Sequence, residues 1–263
     1  MSSLAPGTPY DLSFRLLNVP VRVHPLFWLV TAILGWNSGD GLMPVVLWIA
    51  CVFLSILVHE FGHALTARRF GGSPSILLYG LGGLCYSGTE RTPGQRLAVI
   101  LAGPGAGFLL LLLTLLAFTL LRGVTPAEHA ALVPRFLGIR TDDLLALSGQ
   151  RKFGGPVAFE IYVNLVWINL FWTLINLLPI WPLDGGQATQ VVMTRLDPRH
   201  GVRRSHIVSF ATAGVLAVLL GLQTNDMFLA LFMGYFAYQN YLQLQIIHET
   251  SRYGRQDDDW WRN

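Results

Sequence analysis

The sequence predicts an all-α polytopic membrane protein with about six transmembrane helices and a small membrane-associated β element. Three observations predict it. Apolar residues make up 52% of the 263-residue chain and charged residues only 13%, about half the charge that covers a soluble domain. The mean hydropathy is +0.49. Apolar runs of spanning length, about 17–25 residues, recur along the chain.

The net charge of +3 does not point to nucleic acid. One lysine, Lys152, stands among arginines, and most of these basic residues sit in short loops between apolar runs. That pattern belongs to membrane topology, not to a basic groove. The two cysteines, Cys51 and Cys85, exclude a disulfide framework. Cys51 lies inside an apolar run and reads as a small buried hydrophobe; Cys85 lies in a polar-flanked segment, with a reactive thiol as the minor alternative.

Residues 1–23 form an N-terminal strand-like segment. FRLLNVPVRV, residues 14–23, alternates around Asn18 and Pro20, as a strand–turn–strand does. No basic stretch precedes a short apolar core with a cleavage site, so the chain is expected to insert uncleaved. Residues 21–36 are a marginal run, expected to be a short span. Residues 42–65 form the first strong span. Residues 75–89, SILLYGLGGLCYSGT, are apolar but carry four glycines, which disfavour a helix and favour a hairpin or re-entrant segment. Further spans are expected at 97–121, 157–178, 205–223 and 227–247. Residues 122–156 form a loop too short for an independent domain. Residues 251–263 form a polar tail.

With a cytoplasmic N-terminus, 13 of the 18 Lys and Arg residues fall on the cytoplasmic side; Arg122, Arg135, Arg140, Arg151 and Lys152 make up the remainder. Short-loop basic residues prefer that side.

The chemistry starts with His59-Glu60-Phe61-Gly62-His63, which ends the run LMPVVLWIACVFLSILV. Residues four apart share a helix face, so His59 and His63 can offer two imidazoles to one metal. Neutral imidazoles leave a metal Lewis acidic, and the Glu60 carboxylate can take a proton from an attacking water. A chance match at a helix end is the bland alternative. Ionisable groups at membrane depth are costly, and that weighs for function. A third ligand is required, and Asp184 is the only carboxylate in INLLPIWPLDGGQ, residues 175–187. A plain helix-end turn is the alternative there. Gly103, Gly105 and Gly107 suit close helix packing. Asn169 suits a helix–helix hydrogen bond, and Glu160 a snorkelling role. His24, His129, His200, His206 and His248 lack ligand spacing.

HEFGH on a membrane helix, with N-x-x-P-x-x-P-L-D-G at residues 176–185, resembles the site-2 protease family of intramembrane zinc metalloproteases. The resemblance covers roughly residues 14 to 190. It implies a metalloprotease domain over residues 24–250 and one zinc ion held by His59, His63 and Asp184. It further implies Glu60 as the catalytic acid/base and Asn176 as a substrate or oxyanion contact. LAGPGAG, residues 101–107, resembles the family's small-residue stretch. The segment around Tyr79, Gly80, Leu81, Gly82 and Gly83 resembles its membrane-embedded β region, whose edge binds unwound substrate. Unwound backbone needs partners in lipid, and a strand edge supplies them.

The expected partners are a transmembrane protein substrate, the lipid bilayer and a regulatory membrane protein. The expected place is a prokaryotic plasma membrane, with the site toward the cytoplasm. Neither a PDZ insertion nor a CBS pair is expected. A metal-binding membrane transporter, or a non-catalytic relative that binds membrane proteins, is the alternative; Glu60 between the histidines weighs against both.

Overall fold

A computed structural model describes residues 7–36, 41–80, 82–88, 92–130, 153–223 and 227–257. Leu81, most of the loop at 122–156 and the end of the polar tail lie outside them. The chain divides into two compact units, residues 1–90 with 102–174, and residues 91–101 with 175–263.

In the first unit, β1 (Leu12–Leu16) and β2 (Val19–Val23) form an antiparallel hairpin. Leu17 and Asn18 turn it, with φ of 48° and 60°. Two consecutive positive φ values give a turn whose twist matches the paired strands. The chain then enters α1 (Pro25–Leu34), capped at its start by His24, whose Nδ1 accepts from Leu26 N–H at 3.1 Å. The next helix, α2, runs from Leu42 to Arg69. β3 (Ser75–Tyr79) and β4 (Gly82–Tyr86) form the second hairpin, with Gly80 at φ +56° in its turn.

The two hairpins make one sheet in the order β1-β2-β3-β4, because β2 pairs in parallel with β3, Val21 opposite Ile76. Val19, Val21 and Val23 point to one face and are at most 2% exposed. They meet Ile76 and Leu78 of β3, Phe27 of α1, Val52 and Ile56 of α2, and Ile168 farther along the chain. Period-2 alternation in β2 thus lays a valine row on the membrane helix.

α3 (Pro93–Arg122) and α5 (Pro156–Asn176) flank α2, with the short α4 (Pro126–Ala130) between them in sequence. The approach of α3 to α2 is glycine-dependent: a Cβ on Gly62 would sit 2.2 Å from the Ala102 carbonyl oxygen. A Cβ on Gly107 would sit 2.3 Å from Thr173 Oγ1 of α5. Gly105 faces open space, so only part of the LAGPGAG stretch serves packing. Asn169 is the helix–helix bond expected of it: its Nδ2 donates to Ser55 Oγ at 2.9 Å, one turn before His59. At the far end, His129 lies between Tyr162 Oη at 2.5 Å and Thr119 Oγ1 at 2.8 Å. Burial lowers its pKa, with Glu128 opposing that.

The second unit holds α6 (Asp184–Leu196), α7 (Gly201–Gln223) and α8 (Met227–Asp257). Ile180 packs among Ala213 of α7 and Met233, Phe236 and Ala237 of α8.

Among the described residues, four helices are long and apolar enough to cross a membrane: α2, α3, α5 and residues 201–222 of α7. The expected span at 21–36 needs correction. Val21 and Val23 belong to β2, and Pro25 and Gly35 bound a helix of 10 residues. At 1.5 Å per residue α1 is about 15 Å long, half the hydrocarbon thickness. The expected span at 227–247 lies in α8, where Gln239, Asn240, Gln243 and Gln245 dilute the apolar run.

Candidate metal centre

α2 is apolar for its first four turns, which suits lipid, and turns polar where it is enclosed by protein. His59 and Glu60 are 4% exposed and His63 is 8% exposed. The helical repeat brings His59 Nε2 and His63 Nε2 to 3.2 Å, with the rings nearly perpendicular at 78°. His59, Glu60 and His63 each offer a ligand atom, all within 4.8 Å of one another. Two imidazole nitrogens aimed at one point, beside a carboxylate, fit a first-row divalent cation.

The surroundings fit the same conclusion. A Cβ on Gly103 of α3 would lie 2.2 Å from His63 Nε2 and 2.8 Å from His59 Nε2. The glycine therefore leaves the two imidazole nitrogens room that any side chain would take. A Cβ on Gly83 of β4 would lie 2.3 Å from Glu60 Cγ and 2.5 Å from its Oε1. Backbone of the edge strand thus passes directly over the carboxylate. Gly83→Ala forces that carboxylate aside or lifts the strand. The peptide cleavage that the HEFGH resemblance implies should drop at least about tenfold, as displacing a group by an ångström does in other sites, while the bound zinc that it implies should be retained. Wild-type turnover by that variant would show that the strand and Glu60 do not act together.

Of the expected substrate contacts, Tyr79 ends β3, Gly80 makes the turn, and Gly82 and Gly83 begin β4. Leu81 lies outside the described residues. β4 is an edge of the sheet. Tyr79 also packs against His24, the rings tilted by 52° with centroids 4.7 Å apart, which gives His24 a structural place as cap and ring partner. Leu78 is fully buried and its carbonyl accepts from His24 N–H at 2.9 Å, so proline at Leu78 would damage the core before it tested an edge.

Asn176 and Asp184 belong to the second unit. Asn176 ends α5 and Asp184 opens α6; they are 8% and 7% exposed. A carboxylate in the first turn of a helix meets the positive end of its dipole. Gly185 and Gly186 let the intervening turn fold onto the helix start. Their Cβ atoms would sit 2.1 Å from the Leu177 carbonyl oxygen and 2.2 Å from the Ile180 carbonyl carbon. Gln187 Nε2 donates to the Pro182 carbonyl at 3.0 Å.

Two features escaped the sequence. Gly103 reads as helix packing because no spacing ties it to His63. His206 reads as unassigned because its partner, Asn240, lies 34 residues away.

The profile of peptidase family M50 matches residues 47–220. Rip3 of Mycobacterium tuberculosis is 28% identical over 220 residues, 78% of this chain and 47% of Rip3. Stage IV sporulation protein FB of Bacillus subtilis is 26% identical over 243 residues, 88% of this chain and 69% of that protein. The chain thus spans about half the length of Rip3 and two thirds of the sporulation protein. The solved site-2 protease from Methanocaldococcus jannaschii superposes with a TM-score of 0.52 at 19% identity, covering 89% of this chain and 95% of that one. At that identity the likeness speaks for the fold. The profile match over most of the chain carries the assignment, and this chain belongs to peptidase family M50.

Proposed function

We propose that the protein is a zinc metalloendopeptidase that hydrolyses a peptide bond within or near the transmembrane segment of a membrane-protein substrate. The observation that carries this reading is the 3.2 Å convergence of His59 and His63 Nε2, with Glu60 beside them, inside an apolar helix. His59, His63 and Asp184 are the zinc ligands. Zinc bound there supplies Lewis acidity toward water and toward the scissile carbonyl. Glu60 takes the proton of the attacking water on its carboxylate and delivers it to the leaving amine nitrogen. Asn176 offers its amide to the substrate carbonyl as negative charge develops on the oxygen.

Residues Tyr79 to Gly83 bind substrate by strand addition along β4, which holds unwound backbone that lipid cannot satisfy. The 13 to 5 split of Lys and Arg supports a site toward the cytoplasm, and the compact size of the chain suits a prokaryotic plasma membrane. α8 crosses the membrane as a fifth helix. Its Asn240 is buried, and Leu231, Tyr235 and Tyr238 are each more than half exposed, as lipid-facing side chains would be. α1 reaches half-depth. Regulated release of a membrane-tethered protein is the process this chemistry serves, with access set by a membrane partner.

The test is cleavage of a tagged single-span protein by the full chain in lipid. New termini should map inside or beside the span, disappear on chelation and return with zinc. Zinc uptake into sealed vesicles without cleavage would favour a transporter. Stable substrate binding without cleavage would favour a non-catalytic role.

A further inference from the structure

Asp184 is presented by a turn, and that turn is held by three buried polar side chains with no part in the mechanism above. Ser209 and His206 of α7 are 0% and 4% exposed, and Asn240 of α8 is 0% exposed. Trp181 N–H donates to Ser209 Oγ at 3.0 Å. Asn240 Nδ2 donates to the Trp181 carbonyl and to the Phe236 carbonyl, both at 2.8 Å. Asn240 Oδ1 lies 2.8 Å from His206 Nδ1. An amide oxygen only accepts, so His206 Nδ1 carries the proton and fixes which way the Asn240 amide points. The His206 ring also packs edge-on against Trp181, with centroids 5.6 Å apart. Both main-chain groups of one turn residue are therefore tied to the α7–α8 pair.

Little slack separates that residue from the carboxylate. Leu183 N–H donates to the Ile180 carbonyl at 2.8 Å, and Gly186 packs without a side chain against the Ile180–Trp181 peptide. A shift at Trp181 is carried three residues on to Asp184. Apolar side chains would pack α7 against α8 with no desolvation cost. A fully bonded polar group adds a fixed direction, which hydrophobic contact lacks.

We propose that His206, Asn240 and Ser209 are positioning residues that set the Asp184 carboxylate in place for a divalent metal. This rests on the reading of Asp184 as the third ligand.

The test uses the full chain in detergent, loaded with cobalt in place of zinc. It reads the visible d–d spectrum, the rate of cobalt release to EDTA, and the melting temperature of the apo protein. Ser209→Ala should release cobalt about fivefold faster and Asn240→Leu about thirtyfold faster, one and two or more hydrogen bonds being lost. Their spectra should change while helix content does not. Ser209→Thr, which keeps the hydroxyl, should restore wild-type release. Should Asn240→Leu fail to fold, the Ala and Thr pair at Ser209 still decides. Asp184→Asn separates the two levels. If it leaves the spectrum unchanged, Asp184 is not a ligand and both readings fall. If it alters the spectrum while Ser209→Ala and Asn240→Leu match wild type, only the positioning role is overturned.

Discussion

Glu60→Gln should lower peptide cleavage by about 10²–10⁴-fold, the range that a positioned proton-transfer group supplies. Zinc content should stay at one equivalent. Glutamine has the size of glutamate, so the close approach of Gly83 to residue 60 is kept. His59 and His63 are untouched. What changes is basicity: an amide oxygen cannot hold the proton that the attacking water must lose, nor return it to the leaving amine. The checks are the cleavage rate on a tagged single-span substrate and zinc by mass spectrometry on the same preparation. Retained activity would remove Glu60 from the proposed mechanism. Loss of zinc alongside activity would make Glu60 a ligand instead of a base.

The second large effect is expected at a residue with no chemistry of its own. Gly103→Ala should reduce zinc from one equivalent toward none and abolish cleavage with it. Its Cβ would stand 2.2 Å from His63 Nε2, 2.3 Å from His63 Cε1 and 2.8 Å from His59 Nε2. Zinc–nitrogen bonds run at about 2.0–2.1 Å and tolerate deviations of about 0.2 Å. Both imidazoles must rotate by far more than that to clear a methyl group. Gly105→Ala is the matched control: nothing lies within 4 Å of its Cβ, so it should keep full zinc content. Equal zinc in both variants would show that the histidines have another way to meet the metal.

The sequence made legible what depends on local spacing. The four-residue step of His59 and His63 puts two nitrogens on one helix face wherever that helix lies. The alternation of VPVRV and the glycines of 80–83 mark strands and a turn from nearest neighbours alone. Asn169 in an apolar run announces an inward hydrogen bond, since hydrocarbon offers it no partner. What stayed hidden is what depends on two distant segments meeting. Nothing in either hairpin says that β2 and β3 pair in parallel. No local pattern says that Gly103 faces His63, Gly83 faces Glu60, or Asn240 closes on Trp181. The expected span at 21–36 failed for a related reason. Its apolar count was adequate, but three of its residues serve the sheet, and Pro25 and Gly35 cut the remainder to 10 residues.

The parallel pairing of β2 with β3 also sets a schedule. β2 leaves the ribosome about sixty residues ahead of the end of β4, a lag of roughly 3–12 s at bacterial-to-eukaryotic synthesis rates. Within that interval α2 must enter the bilayer. Until then the row Val19, Val21 and Val23, at most 2% exposed in the finished protein, lacks its cover from α2 and β3. The N-terminal hairpin is thus a waiting template. Its completion waits on the insertion of α2, and a stalled insertion leaves an apolar strand uncovered.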